Sequence, residues 1–154
     1  MSGKSASIDI VREPLTQDQG IDFSLIEGFF FAYRDFTADA DAILEAYDFG
    51  RAHHRVLHFV NRKPGLTVAE LLDILKITKQ SLARVLKQLI DSGHIAQVPG
   101  PKDKRQRELY PSPKGRELAL KLALPQSRRI GVALGKSGAG AREQVERFLN
   151  AMVG

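Results

Sequence analysis

The stretch from Thr78 to Gly93 (TKQSLARVLKQLIDSG) constrains the fold of this chain more than any other. Its apolar residues recur at spacings of three and four, so they share one face of a helix: Leu82, Val85, Leu86, Leu89 and Ile90. Thr78 is a good N-cap, and Gly93 stands where a helix favours a left-handed residue at its end. The opposite face carries side chains that donate to phosphates and base edges: Lys79, Gln80, Arg84, Lys87 and Gln88. On its own, the pattern is equally typical of a surface helix with solvated cations.

A second short helix is predicted directly before this one. Lys63-Pro64-Gly65 indicates a turn, and Thr67-Val-Ala-Glu70 is a capping box that opens a helix from Val68 to about Leu75. Three residues, 76–78, join the two helices. Two helices joined by so tight a turn form a helix-turn-helix, in which the second helix enters the major groove of DNA.

The pattern becomes extended after Gly93. Segments 94–98 and 106–110 read as strands, and prolines bound them. The loop GPKDKRQR between them predicts a basic wing that lies along a minor groove, with Arg105 entering the groove. Asp103, two residues earlier, is predicted to hold the Arg105 guanidinium by a bidentate pair. The alternative is a flexible charged turn.

Charge separates the chain into a basic and an acidic region. Residues 76–107 hold eight basic and two acidic residues, a net charge of +6, whereas the whole chain carries +5. Residues 9–48 hold ten acidic residues against Arg12 and Arg34, a net charge of −8. A polyanionic partner is therefore expected for the basic region and a different role for the acidic one.

The flanking regions are predicted to be helical. A heptad seam covers 21–47, with Asp22 or Ser24 as its cap, and its apolar stripe is wide enough to pack on its own chain and on a second subunit. A helix of a monomeric bundle is the alternative. A second helix covers 49–61. Ser112-Pro113 opens a helix with a kink at Pro125, residues 135–138 break it, and 141–153 form the last helix. Residues 1–20 are expected to be a mobile arm that docks on a partner subunit.

Histidines are the only candidate metal ligands of the usual kind. His54 and His58 are four residues apart, but no HExxH arrangement and no further ligand accompanies them, so packed, surface or effector-lining roles are favoured. The chain has no cysteine, which excludes disulfides and thiolate chemistry. No nucleophile–base pair is apparent, and we predict neither an enzyme nor a cofactor. Without a signal-like or membrane-spanning segment, a cytoplasmic location is expected.

The ordered motifs resemble the MarR family of bacterial transcription regulators. The matching segments are Leu66-Thr-Val-Ala-Glu-Leu-Leu72, Ile77-Thr-Lys-Gln-Ser-Leu-Ala-Arg-Val-Leu-Lys-Gln-Leu89, Asp91-Ser-Gly-His-Ile95, Asp103-Lys-Arg105 and Ser112-Pro-Lys-Gly115. The specific match covers roughly residues 50–120, and the outer helices match in pattern only. Gln97 stands where the first wing strand often has Arg, and Pro111 where Leu usually precedes the capping residue.

The resemblance implies a homodimer that reads a pseudo-palindrome in double-stranded DNA and is released by a small ligand. The expected fold class is mainly α with a small β-hairpin wing. The expected domains are an arm (1–20), a helical dimerisation region (21–48 and 113–154) and a winged helix-turn-helix (49–112). The DNA-binding residues carried over or inferred are Thr78, Lys79, Gln80, Ser81, Arg84, Lys87, Lys102, Asp103, Lys104 and Arg105. The expected effector pocket involves Tyr33, Phe36, His53 and His54.

Two alternatives remain open from the sequence. One is a winged-helix module that binds protein and lacks sequence-specific DNA binding, against which the separate basic window argues. The other is a metal-responsive regulator that uses His54 and His58. Repression and activation are not distinguished, although repression is the role we expect.

Overall fold

A computed structural model describes residues 7–16 and 19–154. Within them the chain forms six helices and a three-stranded antiparallel sheet of order β1-β3-β2, which confirms the predicted fold class. The elements are α1 (Phe23–Glu45), α2 (Arg51–Arg62), β1 (Leu66–Thr67), α3 (Val68–Leu75), α4 (Lys79–Asp91), β2 (Ile95–Pro99), β3 (Arg107–Pro111), α5 (Pro113–Lys136) and α6 (Ala141–Met152). None of these helices combines the length and the apolar character that crossing a bilayer requires.

The chain divides into two units, and the boundary between them along the chain falls within α1, after Arg34. In the first, residues 7–16 have no regular secondary structure, and their apolar side chains are exposed. The remainder of the predicted arm, at 1–6 and 17–18, lies outside the described residues. Asp22 caps α1, because its Oδ1 accepts the backbone N–H of Leu25 at 3.0 Å. Of the two predicted caps, Asp22 is therefore the one used.

The second unit contains the core, and the predicted apolar faces build it. Fully buried side chains come from α1 to α5 and from β3: Leu44, Leu57, Leu71, Leu82, Leu89, Leu109 and Leu122. On α4 the predicted face is confirmed, with Leu82, Val85, Leu86 and Leu89 buried and Ile90 half-buried. Burial of this face orients the opposite face of α4 towards solvent.

Side-chain caps set the starts of α3, α4 and α5. Thr67 Oγ1 accepts the N–H of Glu70 at 3.1 Å, and Glu70 Oε1 accepts the N–H of Thr67 in return. Thr78 and Ser112 accept the N–H groups of Ser81 (3.1 Å) and Gly115 (3.0 Å) in the same way. All three caps were predicted, because an N-cap and its target lie within three residues of each other.

One strand, β1, was not predicted from the sequence pattern. β1 contains two residues only, and Leu66 pairs with Leu109 in β3 while Thr67 pairs with Glu108. The predicted hairpin is thus the larger part of a three-stranded sheet. A two-residue strand has no detectable alternation, and its partner is about forty residues away, so only tertiary packing creates it.

The predicted C-terminal helices are also found. α5 continues through Pro125 to Lys136, and the predicted break at 135–138 ends it, with Gly138 at a φ of +92°. In α6, no residue is buried within this chain.

Candidate nucleic-acid interface

The face of α4 opposite the core is polar, cationic and exposed. Lys79, Gln80 and Arg84 are all exposed and form no ion pair with any residue in the described part of the chain. Gln80 and Arg84 are four residues apart and therefore share one face of the helix, whereas Lys79, five residues before Arg84, lies to one side of that face. This arrangement suits contact with phosphates and base edges.

Two predicted contact residues are partly engaged at the start of α4. Thr78 Oγ1 accepts the N–H of Ser81 and donates to the Ser81 hydroxyl at 2.9 Å. The Ser81 hydroxyl keeps its own proton available for an external acceptor. The Thr78 side chain is therefore engaged mainly as a helix cap, whereas Gln80 and Arg84 retain all of their donors.

Lys87 differs from the other cations of this face. Its Nζ donates to Asp91 Oδ2 at 2.8 Å, and this hydrogen bond together with the nearby carboxylate charge raises the pKa of Lys87. Both side chains are exposed. Because Asp91 offsets part of its charge, Lys87 is a weaker candidate for phosphate binding than Lys79 or Arg84.

The wing is held by its backbone. β2 and β3 pair from Ile95–Pro111 to Pro99–Arg107, and the loop closes through Gly100 N–H to the Gln106 carbonyl oxygen and Gln106 N–H to the Asp103 carbonyl oxygen. A Cβ at Gly100 would approach the Asp103 carbonyl oxygen to 2.8 Å, so glycine is required at this close approach.

The predicted bidentate pair in the wing is wrong. Asp103 Oδ1 accepts the backbone N–H of Arg105 at 2.9 Å, an Asx turn, and the Arg105 guanidinium makes no ion pair with the described residues. The backbone amide lies closer to the carboxylate than a long flexible side chain does. Asp103 thus shapes the loop, and the guanidinium stays exposed beside Lys102 and Lys104.

A groove separates the two basic elements. It has a volume of about 650 Å³ and runs between α3, α4 and the wing. Leu72, Leu86 and Ile90 contribute apolar wall, and Lys79, Arg105 and Arg107 lie at its rim. None of the four predicted effector residues lines it. The groove thus brings Lys79 of α4 and Arg105 and Arg107 of the wing to one side of the domain.

The predicted effector residues fall in both units of the chain. Tyr33 belongs to the first unit, and its part in a pocket stays a prediction. In the second unit, the Phe36 carbonyl oxygen accepts from Gln126 Nε2 at 3.2 Å. His53 stacks on Phe49 and bonds at both ring nitrogens to protein groups. His53 is therefore already occupied by the protein's own groups.

His54 and His58 do not complete a metal site. Burial lowers the pKa of both, and the neighbouring His58 charge lowers that of His54 further. The described ranges contain no cluster of three or more His, Asp or Glu side chains able to hold an ion. Two imidazoles fall short of the three protein ligands that catalytic or structural zinc uses.

Sequence reasoning missed the role of Gln88. It was placed on the polar face of α4, but its Oε1 contacts the Nε2 atom of His53 on α2. Spacing alone could not reveal this contact, because the residues are 35 positions apart and belong to different helices.

Comparison with known proteins agrees with this architecture. The sequence model of the MarR family matches residues 47–106, from the end of α1 to the wing. The HTH-type transcriptional regulator PetP of Rhodobacter capsulatus is 48% identical over 128 residues, which cover 83% of this chain and 77% of PetP.

Several solved structures share the fold of this chain although their sequences differ from it. A mutant of MepR from a multidrug-resistant S. aureus clinical isolate has a TM-score of 0.74 at 18% identity and covers 86% of this chain and 97% of that one. A MarR protein from Peptoclostridium difficile has a TM-score of 0.74 at 19% identity and covers 92% of each chain. At such identities the resemblance concerns the fold alone.

Proposed function

This chain belongs to the MarR family of transcription regulators, and we propose that it acts as a homodimer whose two winged helix-turn-helix domains bind a pseudo-palindromic operator. The observation that carries the proposal is that Lys79, in the first turn of α4, and Arg105 and Arg107 of the wing line one groove, while Gln80 and Arg84 are exposed on α4. PetP, the relative in R. capsulatus, is itself an HTH-type transcriptional regulator.

Within this proposal, the exposed side chains divide by chemistry. Gln80 and Arg84 are the candidates for base contacts, since amide and guanidinium groups can form paired hydrogen bonds with adenine and guanine edges. Ser81 adds a single hydroxyl. Lys79, Lys102 and Lys104, with a smaller part for Lys87, supply charge to phosphates, and Arg105 enters the minor groove.

The dimer is inferred from apolar surface that the single chain leaves uncovered. On α6 the residues Val145, Leu149 and Met152 recur at helical spacing, and between 43% and 58% of each remains exposed. A short amphipathic helix gains its stability mainly from packing its apolar face, so this face needs a second surface. The wide apolar stripe on the first half of α1 has the same requirement. We therefore assign dimerisation to residues 21–48 and 113–154 and DNA binding to 49–112.

Release by a small ligand remains part of the proposal. An effector can shift the dimer between DNA-binding and released states only if it binds the two states with different affinity. A compound that binds both states equally would leave the affinity for the operator unchanged.

DNA binding is tested with the intergenic DNA that flanks the gene. Full-length protein is titrated against this duplex across a range of salt concentrations, with a random duplex as competitor. We expect protection of an inverted repeat and a large ratio of specific to non-specific affinity. Equal, weak binding to both duplexes would refute the proposal and favour a protein-binding module.

Arg84→Ala separates base contact from phosphate contact. If Arg84 pairs with a guanine, its loss costs about 1–3 kcal/mol of binding free energy and relaxes specificity at one operator position. A loss that is equal for all single-base operator variants would move Arg84 to the phosphate-contacting group.

Lys102→Ala tests the wing, with Lys121→Ala as its matched control. Lys121 is an exposed lysine on α5, outside the basic window. Loss of one phosphate contact should reduce the slope of log K against log salt by about 1 in Lys102→Ala and leave it unchanged in Lys121→Ala. Equal slopes for the Lys102 variant and the wild type would remove the wing tip from the interface.

A further inference from the structure

A ladder of aromatic rings lies where α1 ends and α2 begins. Tyr47 and Phe49 are stacked with centroids 5.9 Å apart, and Phe49 and His53 with centroids 4.8 Å apart, each pair inclined by only 14°. The imidazole of His94, which follows α4, meets the rings of Tyr47 and Phe49 edge-on at 5.7 and 5.3 Å. The ladder fixes the plane of the His53 ring.

Hydrogen bonds determine the tautomer of His53. Its Nδ1 accepts the backbone N–H of Gly50, the N-cap residue of α2, at 3.0 Å. A neutral imidazole whose Nδ1 accepts carries its proton on Nε2. That Nε2–H donates to Gln88 Oε1 on α4. Both nitrogens of His53 are thus used in a single tautomer.

The contact falls on the element that carries the candidate base-reading residues. Gln88 lies one helical turn after Arg84 and two turns after Gln80. The core face of α4 consists of Leu and Val side chains, and apolar packing is non-directional. Close packing of this face holds the helix on the domain, and a hydrogen bond can add a further constraint on its rotation. A hydrogen bond is directional, and its geometry weakens steeply when the angle changes.

We propose that His53 is a positioning residue for α4: by holding Gln88, it fixes the rotation and height of this helix and thereby the presentation of Gln80 and Arg84 to DNA. The role rests on the proposed function, and it assigns His53 to the positioning of α4 instead of to an effector pocket. Polar contacts from α5 support the same end of α4, since Lys114 Nζ donates to the Ser92 carbonyl oxygen at 2.8 Å.

Variants separate this link from the cap that His53 also provides. Gln88→Met removes the acceptor, keeps the shape of the side chain and leaves the bond between His53 and Gly50 intact. His53→Phe keeps the ring stack but loses both hydrogen bonds. His53→Gln can accept from Gly50 with its oxygen and donate to Gln88 with its amide, because glutamine at this position reaches back to the N-cap.

The experiment measures the affinity of these full-length variants, and of the double variant that combines His53→Phe with Gln88→Met, for the operator and for a random duplex. Loss of one net hydrogen bond predicts a three- to tenfold weaker operator affinity, about the range expected for such a bond, with random-duplex affinity unchanged. The double variant should be no weaker than His53→Phe, and His53→Gln should retain most of the wild-type ratio. All variants are measured at a temperature where circular dichroism shows them folded.

Two results would overturn the assignment. Losses of the two single substitutions that add up in the double variant would show that the residues act separately. A nitrogen-15 spectrum placing the His53 proton on Nδ1 would contradict the contact itself. Wild-type protein that fails to discriminate operator from random DNA would instead refute the proposed function, and the positioning role with it. If wild type and variants instead discriminate operator from random DNA equally well, only the positioning role is refuted.

Discussion

Gly115→Ala should destabilise the protein although alanine is the better helix former. Gly115 lies in the first turn of α5, and a Cβ there would collide with the backbone carbonyl oxygen of His94. The same oxygen accepts the N–H of Ser112 at 3.1 Å, which ties the turn after α4 to the start of α5. The opposing atom therefore belongs to a backbone that cannot move aside without breaking this bond.

Two opposing effects set the magnitude. Overpacking a filled site costs about 1–3 kcal/mol, and the upper end applies where backbone opposes the new methyl group. Replacing glycine with alanine inside a helix stabilises the helix by up to about 1 kcal/mol. The net loss is about 2 kcal/mol, which lowers Tm by about 4–8 °C for a chain of this size.

Gly131→Ala in the same helix is the matched control. Apart from its chain neighbours and the nearby backbone of its own helix, a Cβ at Gly131 would meet no atom of the described residues within 4 Å, so only the helix preference operates there. Its Tm should rise by about 2–4 °C. Thermal unfolding followed by circular dichroism, at one fixed protein concentration because a dimer melts concentration-dependently, compares the two variants. An unchanged or higher Tm for Gly115→Ala would refute the packing of α5 against the turn after α4.

Two further predictions concern stability. Thr67→Ala removes the acceptor of the Glu70 N–H and should lower the free energy of unfolding by about 1 kcal/mol in urea titrations; unchanged stability would show that the capping box is dispensable. Burial, the largest cause in each case, lowers the pKa of His54, His58 and His94 from 6.5, so the unfolded state binds more protons as the pH falls below 6.5. The stability present above pH 6.5 should therefore decline as the pH falls from there towards their lower folded pKa values, and a urea midpoint that rises as the pH is lowered from about 6.5 to about 5.5 would contradict this.

Much of the site follows from local rules. The start of α4 at Thr78, its buried leucines and its exposed Lys79, Gln80 and Arg84 were all predicted, because caps and helical periodicity involve residues within one or two turns. The wing was also predicted, since prolines and glycine punctuate it.

The errors share a different origin. The Asp103 carboxylate accepts the backbone N–H of Arg105 and forms no ion pair with its guanidinium. Gln88 was assigned by its helical face, yet α2 lies beside it and takes its oxygen. In both cases the sequence identified the polar group correctly but not the group with which it forms a hydrogen bond.

The sequence by itself determined where the helices begin and end, which of their faces is apolar, and where positive charge accumulates. The tertiary structure alone decided that Leu66 joins the sheet, that His94 closes against Gly115, and that His53 contacts α4. Capping and periodicity involve residues only a few positions apart, so a short segment of sequence is enough to predict them. The other contacts join residues tens of positions apart, and their geometry exists only once the core has brought the elements together.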